Sequence, residues 1–138
     1  MIRPTKTPQE VSPGEKLPAL ERTFALVDLV LYGAATWDWN RMHYDVEHAH
    51  RLNLPAPVID GQEFGAFLAR AALEWAGPRA FLKRLALRMK AMSFAGDTLR
   101  AEGEVKEMRD RAVVLTQRLT CGESLIAEAI TELRLPEP

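Results

Sequence analysis

The chain holds one cysteine, Cys121, among 138 residues. An internal disulfide and a cysteine-based zinc framework are therefore excluded, and a reducing compartment is expected. An excess of either charge is also missing: 18 Lys and Arg face 19 Asp and Glu, a formal net charge of −1. Without a basic surplus the chain has no global attraction for nucleic acid or an anionic membrane, so any partner is selected locally. Long apolar runs are absent; nothing approaches the roughly 18 residues that suggest a membrane helix. The opening stretch, MIRPTKTPQEVSPGEK, contains no apolar signal core. A cytoplasmic protein is expected, with neither nucleic acid nor membrane as partner.

What is present is ordinary globular material. Hydrophobic residues make up 47% and charged residues 27%, a balance that argues against disorder. The length suits one domain, and a domain of about 150 residues hides roughly 70% of its unfolded surface. Four of the nine prolines fall at Pro4, Pro8, Pro13 and Pro18. Proline fixes φ and removes a backbone donor, so residues 1–15 read as an extended arm and 16–138 as the domain.

Along the domain, a β-prone stretch covers Leu20 to Leu26, and Asp28 opens an apolar run, Leu29 to Ala35, suited to a short helix. Trp37 to Asp45 reads as a loop. Asp45 can cap a brief helix through Leu52, which Pro55 and Pro57 stop. Phe64, Phe67, Leu68, Ala71, Ala72 and Trp75 then recur at i, i+3, i+4, i+7, i+8 and i+11, one face of a 3.6-residue period. Asp60 and Glu63 resemble a capping box in front of this helix, and Gly77-Pro78 ends it.

Beyond Pro78 the period drops to two. Leu85, Leu87 and Met89 alternate with Arg84, Arg88 and Lys90, and Gly96-Asp97, Arg109-Asp110-Arg111 and Gly122-Glu123 punctuate further alternating runs. Ser124 to Leu135 fits either period; a strand is preferred because it continues a meander after a hairpin turn. One apolar helix among several strands calls for a sheet to cover it, hence an α+β fold with an antiparallel sheet around the helix.

Several residues carry chemistry. Asp38 and His43, five apart with Asn40 between, can face one point from a loop. A carboxylate beside an imidazole can deprotonate water and return the proton. Spacing alone equally allows a structural histidine held by a loop carboxylate, with Trp37 and Trp39 as core anchors. Asp38, His43, Asp45, His48 and His50 invite a metal hypothesis. However, His48 and His50 differ by two and lie on different sides of a helix, and no tight ligand motif is present, so no metal is expected. Arg84, Arg88 and Lys90 share one strand face; they are either solvated or a site for phosphate, to which guanidinium groups are suited. Cys121 reads as a small packing residue.

The run Tyr32 to Asp45, YGAATWDWNRMHYD, resembles the hydratase signature of the MaoC-like family, which includes (R)-specific enoyl-CoA hydratases and related acyl-thioester dehydratases. That signature has an aromatic residue, small residues, Asp-x-Asn-x-x-His and often Tyr-Asp. Leu54 to Gln62, LPAPVIDGQ, resembles the family segment that opens the central helix, and Phe94 to Leu99, FAGDTL, is similar to its inter-strand turn. The likeness runs over residues 12–121. It implies a hotdog fold, with the sheet wrapped around one long central helix.

It further implies that Asp38 and His43 form the catalytic pair, that Asn40 shapes the loop and holds the water, and that the Gly61 N–H binds the thioester carbonyl. No cofactor is implied, since coenzyme A or phosphopantetheine arrives on the substrate. The acyl-CoA or acyl-carrier thioester is one partner; a homodimer, a higher oligomer or a heteromer with another hotdog chain supplies the other. Asp60 stands where the family often has His, and it reads as the cap of the central helix. The expected activity is hydration of trans-2-enoyl thioesters or the reverse dehydration. An accessory subunit of a heteromeric dehydratase and an acyl-CoA thioesterase are the alternatives.

Overall fold

The computed structural model describes residues 4–137. Strand β1 (Leu20–Thr23) leads into helix α1 (Leu26–Thr36), a 3-10 turn (Arg41–His43), short helix α2 (Val46–Arg51) and long helix α3 (Gly61–Ala76). Strands β2 (Phe81–Met89), β3 (Thr98–Arg109), β4 (Ala112–Cys121) and β5 (Ser124–Arg134) complete the chain. They form one antiparallel sheet in the order β1-β3-β4-β5-β2.

The two-residue periodicity fixes which face is buried. On β3, β4 and β5 the cross-strand sets Ala101–Leu119–Ala127 and Val105–Leu115–Thr131 turn inward against α3. Their neighbours Glu102, Arg118 and Glu128 form a row of alternating charge on the outer face. Phe64, Phe67, Leu68 and Ala71 fill the core beneath the first half of α3; Ala72, Trp75 and Ala76 fill it beneath the second. Register shifts at Leu82/Arg84, Val105/Glu107 and Leu119/Thr120 bend the strands, as bulges do, so that the sheet curls about the helix. This is the hotdog arrangement, and the ambiguous Ser124–Leu135 segment is a strand over Ser124–Arg134.

Three local expectations need correction. The first helix begins at Leu26, not beyond Asp28. Asp28 is the third helical residue, and its carboxylate reaches back to the Ala25 N–H at 2.9 Å and takes the Arg22 guanidinium at 2.6 Å. The first strand accordingly stops at Thr23. The arm is not uniformly extended: Pro8–Glu10 makes a 3-10 turn closed by the Thr7 and Glu10 side chains. Its first residues, 1–3, lie outside the described region.

The arm is fastened to the domain. Val11 and Leu17 are buried, Gly14 N–H donates to the Val105 carbonyl and Lys6 N–H to that of Ala76. At Gly77, with φ of +95°, a Cβ would collide with the backbone of Thr5; only glycine serves both the backbone angle and the close approach.

Candidate active site

The site forms where α1 stops. Trp37 takes a left-handed conformation (φ +60°), and Asp38 N–H returns to the Gly33 carbonyl at 2.9 Å. Gly33 is required by this turn, because a Cβ there would lie 2.8 Å from the Asp38 carbonyl oxygen. Asn40 then caps the 3-10 turn, its Oδ1 accepting from Met42 N–H at 3.2 Å, while its own N–H donates to Asp38 Oδ1 at 3.1 Å. Asn40 thus orients Asp38 and starts the turn that delivers His43.

His43 is partly buried, and its Nδ1 lies 2.7 Å from the Val58 carbonyl. A carbonyl only accepts, so Nδ1 carries a proton and Nε2 is the nitrogen left for other partners. That Nε2 lies 4.0 Å from Asp38 Oδ2. The gap is too long for a hydrogen bond but suits a shared atom: a water 2.8 Å from each would subtend about 90°.

The second wall is the N-terminus of α3. Asp60 Oδ1 accepts from Gln62 N–H at 2.9 Å, so Asp60 is the helix cap. The box is only half made. Glu63 turns instead into the crevice bounded by Leu29, Tyr32, Gly33, Asp38, His43 and Asp60. Asp60 Oδ2 and Glu63 Oε2 are buried without partners. Burial pushes the Glu63 carboxyl up to about 7; Asp28 and Asp60 add to the rise, and Arg22 opposes it. Tyr32 is raised for the same reasons, burial first and then the charges of Asp60 and Glu63.

Gly61 is the first residue of α3, where an N–H has no intrahelical acceptor and the helix dipole is positive. The side chain of Met89 packs on it so closely that a Cβ at position 61 would strike the thioether sulfur. Met89 is largely exposed, so this unbranched side chain stands between solvent and the helix end.

The basic residues lie elsewhere. Arg84 and Arg88 are on the outer sheet face, opposite Glu132 and Glu128 of β5, and Lys90 lies 3.4 Å from Glu128. None of the three borders the crevice. Trp37 and Trp39 are not core anchors: Trp37 is 80% exposed, and the two rings pack edge to face 5.9 Å apart, with Tyr44 beyond. Cys121 packs half-buried against the core, and burial raises its thiol pKa.

The metal set imagined from sequence is also rearranged. Ligand atoms of Asp38, His43 and Asp60 all lie within 4.8 Å of one another. Asp45 is occupied as the cap of α2, with the His48 N–H and Arg41 on its carboxylate, and His50 Nε2 lies 3.3 Å from the Pro55 carbonyl. Sequence reasoning named Tyr32 only as the start of the signature run, not as a crevice wall, and missed the Val58 carbonyl and the inward turn of Glu63. Only the Asp60–Glu63 spacing marked that last position.

Comparison with known proteins identifies the family and the fold. The family model of the MaoC like domain matches residues 8–124. The chain is 26% identical over 123 residues to the 3-oxo-4,17-pregnadiene-20-carboxyl-CoA hydratase beta subunit of Mycobacterium tuberculosis, covering 88% of this chain and 95% of that one. Among solved structures, the ChsH1-ChsH2 complex of M. tuberculosis superposes with a TM-score of 0.86 at 24% identity, covering 91% of this chain and 98% of that one. The unliganded R-hydratase PhaJ1 of Pseudomonas aeruginosa gives 0.89 at 25% identity, over 95% and 86%. No helix of the described residues is long and apolar enough to cross a membrane. With a family model spanning most of its length, the chain belongs to the MaoC-like domain family.

Proposed function

We propose that the chain hydrates trans-2-enoyl thioesters, or dehydrates 3-hydroxyacyl thioesters in reverse, with a water shared by Asp38 and His43. The observation that carries this reading is His43 Nε2 facing Asp38 Oδ2 at 4.0 Å, with the ring held through Nδ1 by the Val58 carbonyl. Nε2 takes a proton from the water as its oxygen bonds to C3 of the enoyl group. The displaced electron pair moves to the thioester oxygen, which the Gly61 N–H stabilises as an enolate. The imidazolium, steadied by the Asp38 carboxylate, returns the proton to C2. The thioester arrives on coenzyme A or a carrier's phosphopantetheine, and no further cofactor enters these steps.

The test uses crotonyl-CoA and longer trans-2-enoyl-CoAs, read by loss of the enoyl absorbance. Asp38→Asn and His43→Ala should each lower kcat by about 100- to 10,000-fold. Release of free thiol in place of hydration would identify a thioesterase. An inert protein at every chain length, or an Asp38→Asn variant with unchanged rate, would refute the proposal.

A second reading has one specific support. Asp60 puts a buried carboxylate beside the proposed oxyanion donor, where its charge would oppose an enolate. A chain with this feature fits an accessory subunit whose partner completes the site, and the similar M. tuberculosis hydratase chain is itself named a beta subunit. Co-purification with a second hotdog chain, and activity only in its presence, would favour this arrangement over a homodimer.

A further inference from the structure

We propose that Asp38, His43 and Asp60 form a binding site for a divalent d-block cation of the Zn2+ class, a site the ion and the reactive water occupy in turn. The donor atoms are mutually within 4.8 Å. Each of the three side chains is anchored through its other polar atom by backbone. Asp38 Oδ1 accepts from Asn40 N–H, His43 Nδ1 donates to the Val58 carbonyl, and Asp60 Oδ1 accepts from Gln62 N–H. Such outer contacts fix tautomer and direction in metal sites, leaving the second atom free to ligate.

Two further observations point to a ligand. Asp60, 9% exposed, has a buried Oδ2 with no partner, and Glu63, 7% exposed, has an equally unpartnered Oε2 on the inner wall of the same crevice. The crevice lining contains three carboxyl groups and neither Lys nor Arg. The nearby Arg22 is already held by Asp28 at 2.6 Å. Burying carboxylates without a counter-charge is costly, and a bound cation removes that cost. One imidazole nitrogen with two carboxylate oxygens favours Zn2+ and its neighbours over Mg2+ or Ca2+, which prefer all-oxygen shells. Glu63 or water can supply the fourth position of a tetrahedron.

Because the ion would claim His43 Nε2 and Asp38 Oδ2, the inference also has a consequence for the proposed hydration: Zn2+ should inhibit it reversibly. Chelator-treated full-length protein, with its partner chain if one co-purifies, is titrated with ZnCl2 by calorimetry and against a chromophoric chelator. One Zn2+ per chain is expected. Loss of an outer contact alone typically weakens metal binding by about 10- to 100-fold, so Asp60→Asn, which removes a ligand, should weaken it by at least about 100-fold. Asn remains a good helix cap, so that variant keeps α3 capped. His43→Ala provides an independent loss of ligand, and His50→Ala should bind like the parent.

Absence of saturable binding overturns the inference, as does binding that survives both Asp60→Asn and His43→Ala or that disappears with His50→Ala. The titration needs no turnover. Zn2+ binding by a chain inert toward enoyl thioesters would refute the hydratase reading alone; hydration without Zn2+ binding would refute this site alone.

Discussion

Glu63 is a carboxyl group inside a helix-lined crevice, and its titration should be visible in the stability of the metal-free protein. Its pKa lies near 7 in the fold, through burial, against an ordinary value of 4.5. Below 4.5 both folded and unfolded chains keep the proton. Between 4.5 and about 7 the unfolded chain releases it more readily, so stability falls as pH rises; above about 7 the loss is complete. A shift of this size corresponds to about 3 kcal/mol. Glu63→Gln should abolish that slope and be more stable than the parent at pH 8, with little difference at pH 4. Urea unfolding across that range checks it; a parallel pair of curves would refute it. At this scale the sequence was partly legible. The Asp38–His43 spacing marked the pair because both lie in one short loop whose turn residues, Asn40 among them, are local. The inward direction of Glu63 was hidden because it depends on α1 packing across the first turn of α3. Trp37 and Trp39 misled for a related reason: aromatic character predicts burial only on average, and the left-handed turn at Trp37 leaves both rings outside.

Helix α3 and the sheet are joined by more than apolar contact. Gln117, buried on β4, donates to the Leu68 carbonyl at 3.0 Å and accepts from the Thr131 hydroxyl of β5 at 2.6 Å. Gln117→Leu would leave the Thr131 hydroxyl buried without an acceptor, a loss of about 1–3 kcal/mol. Adding Thr131→Val should restore most of it, because both polar groups are then gone. Chemical denaturation of the two variants tests the coupling, and equal midpoints would remove this bond from the account. The strands themselves were readable because a half-buried sheet imposes a period of two, and α3 because its apolar face keeps a period of 3.6. Element ends were less legible. Asp28 looked like an opening residue, but an Asp at the third helical position can reach back to the same free N–H groups as a cap, which moves the start of α1 to Leu26.

Over the whole molecule, the arm and the crevice lie at opposite ends of α3. The helix has 16 residues and is about 24 Å long. At its far end Lys6 donates to the Ala76 carbonyl and pairs with Glu15 at 3.1 Å; Glu15 accepts from the Trp75 indole, and Thr5 packs against Gly77. Starting the chain at Pro8 would remove Thr5 and Lys6 while leaving every crevice residue in place. The shortened protein should melt several degrees lower, while kcat and KM for enoyl thioesters stay at the parent values. An unchanged melting temperature would remove the arm from the stability of the fold. The sheet order also leaves β2 at an edge, with Phe81 and Met89 exposed along it. Met89 is the same side chain that covers Gly61. A chain docking along that border at Met89 would touch the side chain over the proposed oxyanion donor, so assembly and access to the proposed reaction centre would share one thioether. A subunit met there would act as a key as well as a neighbour.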